Sequence, residues 1–125
     1  MTKAIPTERM DVETFERWLD TDAPEGRFEL ADGRVVAMAA ERVAYDRLKR
    51  AAANGLERDA AGLDCEVFAD GMAVRIDAHT QREPDAALRC GPRLHDDVIF
   101  YDDPVVIVEV TSTATVDAVD KLAEY

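Results

Sequence analysis

The sequence predicts a mixed α/β fold, with a central sheet flanked by helices and preceded by an N-terminal helix and a β-hairpin. Three observations predict it. Two stretches, "DVETFERWLDT" and "ERVAYDRLKRAAANGLERDA", carry apolar residues at helical spacing. Two others, "RFELADGRVVAMA" and "LDCEVFADGMAVRID", are extended segments broken at Asp-Gly pairs, which favour tight turns. A valine-rich run, "PVVIVEV", reads as a strand buried on both faces. Helices interleaved with strands in this way pack as layers on a sheet.

Each element has a local reason. In the first helix Val12, Phe15, Trp18 and Leu19 share one side, Asp11 is the N-cap, and Trp18 is expected in the core. "DAPEG" ends it. In the hairpin Phe28 and Leu30 alternate with Glu29, so Glu29 is expected on the polar side, and Val35-Val36-Ala37-Met38 returns after Asp32-Gly33. In the long helix Val43, Leu48, Ala52 and Leu56 can form the apolar stripe, with Arg42, Asp46, Lys49, Arg50 and Glu57 mostly elsewhere. Asp70-Gly71 marks the next turn, and Val74 and Ile76 then alternate with Arg75. Pro84 biases Glu83 toward extended backbone, and "DAALRC" continues as a strand. "PRLHDDVIFYDDP" is a polar connection, with His79 and His95 expected at the surface. The valine-rich strand and a last helix, "STATVDAVDKLAEY", complete the chain.

The 125 residues suit a single domain, 1–125, with one core. A hydrophobic fraction of 47% and a charged fraction of 34% describe a globular chain. No apolar run reaches the length of a membrane helix, and the N-terminus lacks a signal peptide's apolar core, so a cytoplasmic protein is expected. In that setting Cys65 and Cys90 are expected reduced and buried. A net charge of −12 argues against non-specific nucleic-acid binding through bulk positive charge, while leaving a local basic groove or a metal-bridged contact open. No nucleophile-elbow or Ser/His/Asp pattern supports a small-molecule hydrolase.

Glu109 is the residue that calls for an explanation, because a carboxylate within a buried valine strand costs several kcal/mol if uncompensated. Either it lies just past the buried part, solvated or paired with an arginine, or it binds a hard divalent cation. Asp85 in "EPDAAL", Glu29 and Lys121 are its candidate companions. Carboxylates on neighbouring strands plus one lysine can bind Mg²⁺, orient a water and stabilise charge on a phosphate. Arg75 and Arg82 flank the Pro-Asp segment and either contact nucleic-acid phosphates or pair with surface acids.

"RFELADGRVVAMA", "EVFADGMAVRID", "REPDAALRCG", "VVIVEV" and "STATVDAVDKLAEY", in that order, resemble the Uma-two family, a restriction-endonuclease-like group of the PD-(D/E)xK nuclease superfamily. The resemblance runs from about Asp11 to Tyr125. It implies a restriction-endonuclease-like core and a Mg²⁺- or Mn²⁺-dependent endonuclease acting on DNA. Asp85 and Glu109 would hold the metal, Glu29 would complete the site, and Lys121 would steady the nucleophile or the transition-state phosphate. The superfamily's lysine position, two residues after the acid, is Thr111 here, and Lys121 matches variants whose lysine has moved to the following helix.

Three departures stand beside the match. The chain ends at Tyr125, where relatives continue with further strands, so the resemblance implies a C-terminally truncated copy or a sheet edge covered in a homodimer. The link from Glu109 to Ser112-Thr113 is about two residues short, and Tyr45 stands where many relatives have histidine. The competing expectation is therefore a catalytically inactive relative that acts as a dimerising interaction domain.

Overall fold

The first helix begins at its expected cap. The structure is a computed structural model and describes residues 3–111 and 124–125; the expected last helix, with Lys121, falls almost entirely outside the described residues. Helix α1 runs Val12–Thr21, and the Asp11 carboxylate accepts the Thr14 N–H at 2.8 Å. Hydrogen bonds from Thr14 hold the Asp11 carboxyl below its ordinary pKa. A depressed folded pKa contributes stability above the unfolded pKa, lost as pH falls through the folded one. Asp11→Ala should therefore lower the melting temperature at neutral pH, and the gap from the parent should close in acid, as followed by circular dichroism.

The described chain divides into two compact units, Met1–Ala40 with Arg75–Arg82, and Glu41–Val74 with Glu83–Tyr125. In the first, Val12, Phe15 and Trp18 of α1 pack on Phe28 and Leu30, with Met10, Leu19, Ala23 and Val35 around them. Trp18 meets Phe28 edge-on at 5.0 Å, a favoured aromatic geometry. Strands β1 (Phe28–Ala31) and β2 (Arg34–Ala37) form the expected hairpin. Ala31 pairs with Arg34, which leaves Asp32 and Gly33 as a two-residue turn with φ of 48° and 81°. Positive φ at both positions is what a type I′ turn requires. A Cβ at Gly33 would also stand 3.2 Å from the Met10 carbonyl oxygen.

Further along the chain, β4 (Ala73–Asp77) and β5 (Thr80–Arg82) follow. The short strand β5, not expected from sequence, pairs antiparallel with β1 through Leu30 and Gln81. It covers the free edge of β1 and changes the reading of Glu29. That residue is on the alternate face, as expected, but the face is buried too: Glu29 is 4% exposed.

The second unit holds helix α2 (Val43–Asp59) and an antiparallel sheet ordered β3 (Cys65–Ala69), β6 (Ala86–Cys90), β8 (Val106–Val108). The short β7 (Phe100–Tyr101) runs parallel to Ala73 and Val74, the start of β4. Parallel and antiparallel pairings thus coexist with the helices, giving the mixed α/β class expected.

The structure departs from three sequence expectations. Helix α2 covers the expected residues, but Val43 and Leu48 are exposed; the more buried stripe is Tyr45, Lys49, Ala53, Leu56 and Ala60. Its spacing of four, four, three and four is as helical as the expected one. The valine run is not buried on both faces: β8 is an outer strand of its sheet among the described residues, and Val105 is 63% exposed. Cys65 and Cys90 are directly opposite in the β3–β6 ladder and form a disulfide, so they are not free thiols. Trp18 is buried and His79 and His95 are exposed, as expected, while the stretch expected as a polar connection contains the short strand β7.

Candidate active site

The β6–β8 pairing assembles the site from sequence neighbours of two strands. Ala86 pairs with Val108. Asp85 immediately precedes Ala86 and Glu109 immediately follows Val108, so the antiparallel register brings both carboxylate-bearing residues to the same end of the pair. Asp85 is buried, and its backbone N–H donates to the Val108 carbonyl at 3.1 Å. Its Oδ2 accepts the Val110 N–H at 2.5 Å, which fixes the carboxylate against the β8 backbone. Glu109 is half-buried, and its Oε1 accepts a hydrogen bond from the Tyr125 hydroxyl at 3.2 Å.

The other oxygen of Asp85, Oδ1, faces the Lys49 ammonium at 3.1 Å. The same Nζ stands 3.1 Å from Asp70 Oδ2 and 2.5 Å from Glu41 Oε2. The inward stripe of α2 explains the convergence, since Lys49 lies one turn from both Tyr45 and Ala53. Asp70 comes from the turn after β3, and Glu41 stands just before α2. Burial alone would lower the Lys49 pKa; hydrogen bonding to Glu41, Asp85 and Asp70 outweighs it and raises the group above the ordinary lysine value. Lys49 and Asp70 also line a cleft of about 420 Å³ with Asp46, Arg50, Asn54 and Glu57.

Sequence reasoning missed Lys49, Asp70 and Glu41. The available signal was the i, i+4 spacing of Tyr45, Lys49 and Ala53, but a lysine between apolar neighbours reads as surface. Of the expected residues, Asp85 and Glu109 come together. Glu29 belongs to the first unit, where its Oε1 is 3.5 Å from Arg82 Nη1. Arg82 is only 2% exposed, so this is a buried pair rather than the surface pair expected as the alternative to phosphate contact. Arg75 Nε donates to Gln81 Oε1 at 3.0 Å, and Gln81 Nε2 donates in turn to Glu16. Lys121 lies outside the described residues.

The family model of Uma2, described as "Putative restriction endonuclease", matches residues 12–125. The chain belongs to the Uma2 family. No curated protein and no solved structure matches it. The matched span includes the Uma2 hairpin with Glu29, the Pro84-Asp85 step, and the strand leading to Glu109. Among the described residues, no helix is long and apolar enough to cross a membrane.

A hard divalent cation needs oxygen donors. Among the described residues no group of three or more His, Cys, Asp or Glu side chains is arranged to hold a metal ion. Mg²⁺ does not require such a cage: it is commonly bound by one or two carboxylates, with waters and substrate phosphates completing the shell. Asp85 and Glu109, two oxygen donors at one strand end, fit that mode.

Proposed function

We propose that this Uma2 chain is a metal-dependent DNA endonuclease that hydrolyses phosphodiester bonds, with Asp85 and Glu109 holding Mg²⁺ or Mn²⁺. The observation that carries the reading is the β6–β8 register, which sets both residues at one end of a rigid strand pair. When bound, the cation would lower the pKa of a coordinated water and polarise the phosphate.

The chain's own groups supply the rest. The Val110 N–H holds Asp85 in a fixed orientation, so little reorganisation is needed when charge builds up on the phosphate. The Tyr125 hydroxyl does the same for Glu109. Lys121, which lies outside the described residues, is the candidate to steady the transition-state phosphate. A net charge of −12 opposes approach of DNA, and that opposition makes a bridging cation more important to binding.

The test is cleavage of supercoiled plasmid by purified protein with Mg²⁺ or Mn²⁺, against EDTA. Nicking that requires the metal and falls by about 100-fold or more in Glu109→Gln is expected, since that variant keeps the shape but removes a charged ligand. Folded protein that cuts with neither metal, or a Glu109→Gln variant as active as the parent, would remove the nuclease reading.

A further inference from the structure

We infer that Lys49 is a positioning residue of the site, a tethered cation that holds Asp85 Oδ1 and must be displaced for a divalent metal to bind there. The inference rests on Asp85 being a metal ligand, as proposed above.

The two carboxylate oxygens of Asp85 have different partners. Oδ2 is engaged by the Val110 N–H. The oxygen left to face a cation is Oδ1, and that is the atom Lys49 Nζ contacts at 3.1 Å. An incoming metal and the ammonium would therefore compete for one oxygen. Lys49 is also no surface ornament: its side chain is 13% exposed, and an ammonium withdrawn from water to that degree persists only with partners. It has three, Glu41, Asp70 and Asp85.

Charge sets the direction of the exchange. Three carboxylates around one ammonium leave the cluster net negative, and a doubly charged ion balances it better than a singly charged one. Geometry permits the exchange. The lysine stem is flexible, and Lys49 borders the cleft it shares with Asp46 and Glu57, whose carboxylates can receive the released ammonium. The fold thus keeps the carboxylates together before metal arrives.

The experiment measures Mn²⁺ binding by isothermal titration calorimetry on the full chain and on Lys49→Met and Lys49→Arg, with thermal melts of each. Removing a unit charge a few ångströms from the incoming ion should tighten Mn²⁺ binding by about tenfold or more in Lys49→Met. Lys49→Arg, which restores the competing cation, should bind within a few-fold of the parent. Lys49→Met should also melt lower than the parent without metal and recover more of its melting temperature when Mn²⁺ is added. A lysine that is only a structural ion pair would lower the melting temperature without tightening the ion. Should Lys49→Met not fold, Lys49→Gln, whose amide still donates hydrogen bonds, takes its place with the same expectation.

Unchanged or weaker Mn²⁺ binding in a folded Lys49→Met or Lys49→Gln variant overturns the inference, and plasmid cleavage by the parent in that case leaves the nuclease reading standing. Tighter binding without cleavage by any variant keeps Lys49 in its role and removes the nuclease. Absence of Mn²⁺ binding in all variants overturns the inference, and plasmid cleavage then decides the nuclease reading by itself.

Discussion

Asp85→Ala should abolish metal-dependent cleavage, lowering the rate by about a thousandfold or more. That corresponds to about 4 kcal/mol of lost transition-state stabilisation, in line with what a bound metal supplies. The substitution removes one of two carboxylates at the β6–β8 end and frees the Val110 N–H that aimed it. Asp85→Asn separates the two effects. Its amide oxygen can still accept from Val110, so geometry is kept while charge is lost, and it should be nearly as inactive as the alanine variant. Stability should fall less steeply than activity. Lys49 keeps Glu41 and Asp70 as partners, and losing one buried hydrogen-bond acceptor costs about 1–3 kcal/mol. Rates from plasmid nicking, compared with unfolding in urea, check both halves. An Asp85→Asn variant that cuts at the parental rate would mean that the charge of Asp85 takes no part in the chemistry.

The second large effect concerns stability. Arg82→Ala should destabilise the fold by about 3–5 kcal/mol, because it removes the buried guanidinium that faces the buried Glu29 carboxylate. Such a loss approaches the whole stability of many small domains. Replacing both partners, Arg82→Met with Glu29→Leu, should recover most of the loss, since apolar side chains of similar volume satisfy a buried site without needing a counter-charge. Chemical denaturation of the four proteins in the double-mutant cycle gives the coupling directly. A single-variant cost below about 1 kcal/mol, the range of exposed pairs, would contradict the burial of this one.

Much of the secondary structure was legible because its signals are local. Asp11 caps α1 through a hydrogen bond to a residue three positions away. Asp32-Gly33 dictates its hairpin through two backbone angles. The length of α2 follows from its residues. Its orientation does not: Val43 and Leu48 are apolar but exposed, while Lys49 turns inward because carboxylates from elsewhere in the chain await it. Patterning treats charge as outward-facing, so it misplaces any helix face whose burial depends on an ion pair.

The same limit applies to Glu29, whose buried face depends on Arg82 arriving on β5, more than fifty residues later. The disulfide was hidden because Cys65 and Cys90 become neighbours only once β3 and β6 are in register. The valine run misled in the opposite sense. Its composition is that of a central strand, yet the described β8 is an outer one with Val105 exposed. Of the candidate site, the shared strand end of Asp85 and Glu109 was reachable from the motif order, whereas the contacts of Lys49 with Asp70 and Asp85 required the three-dimensional register.

The first unit is assembled from two separated pieces of chain, Met1–Ala40 and Arg75–Arg82. On a ribosome this imposes an order of events. The β1–β2 hairpin and α1 can form as soon as residue 40 has emerged, since their contacts are local. Glu29 must then wait, hydrated, while residues 41–74 are made. Only when β5 leaves the exit tunnel can Arg82 reach it and the open edge of β1 close. A pause in translation before codon 82 would prolong the life of a half-built sheet, and nascent chains stalled there are the ones on which chaperones should be found.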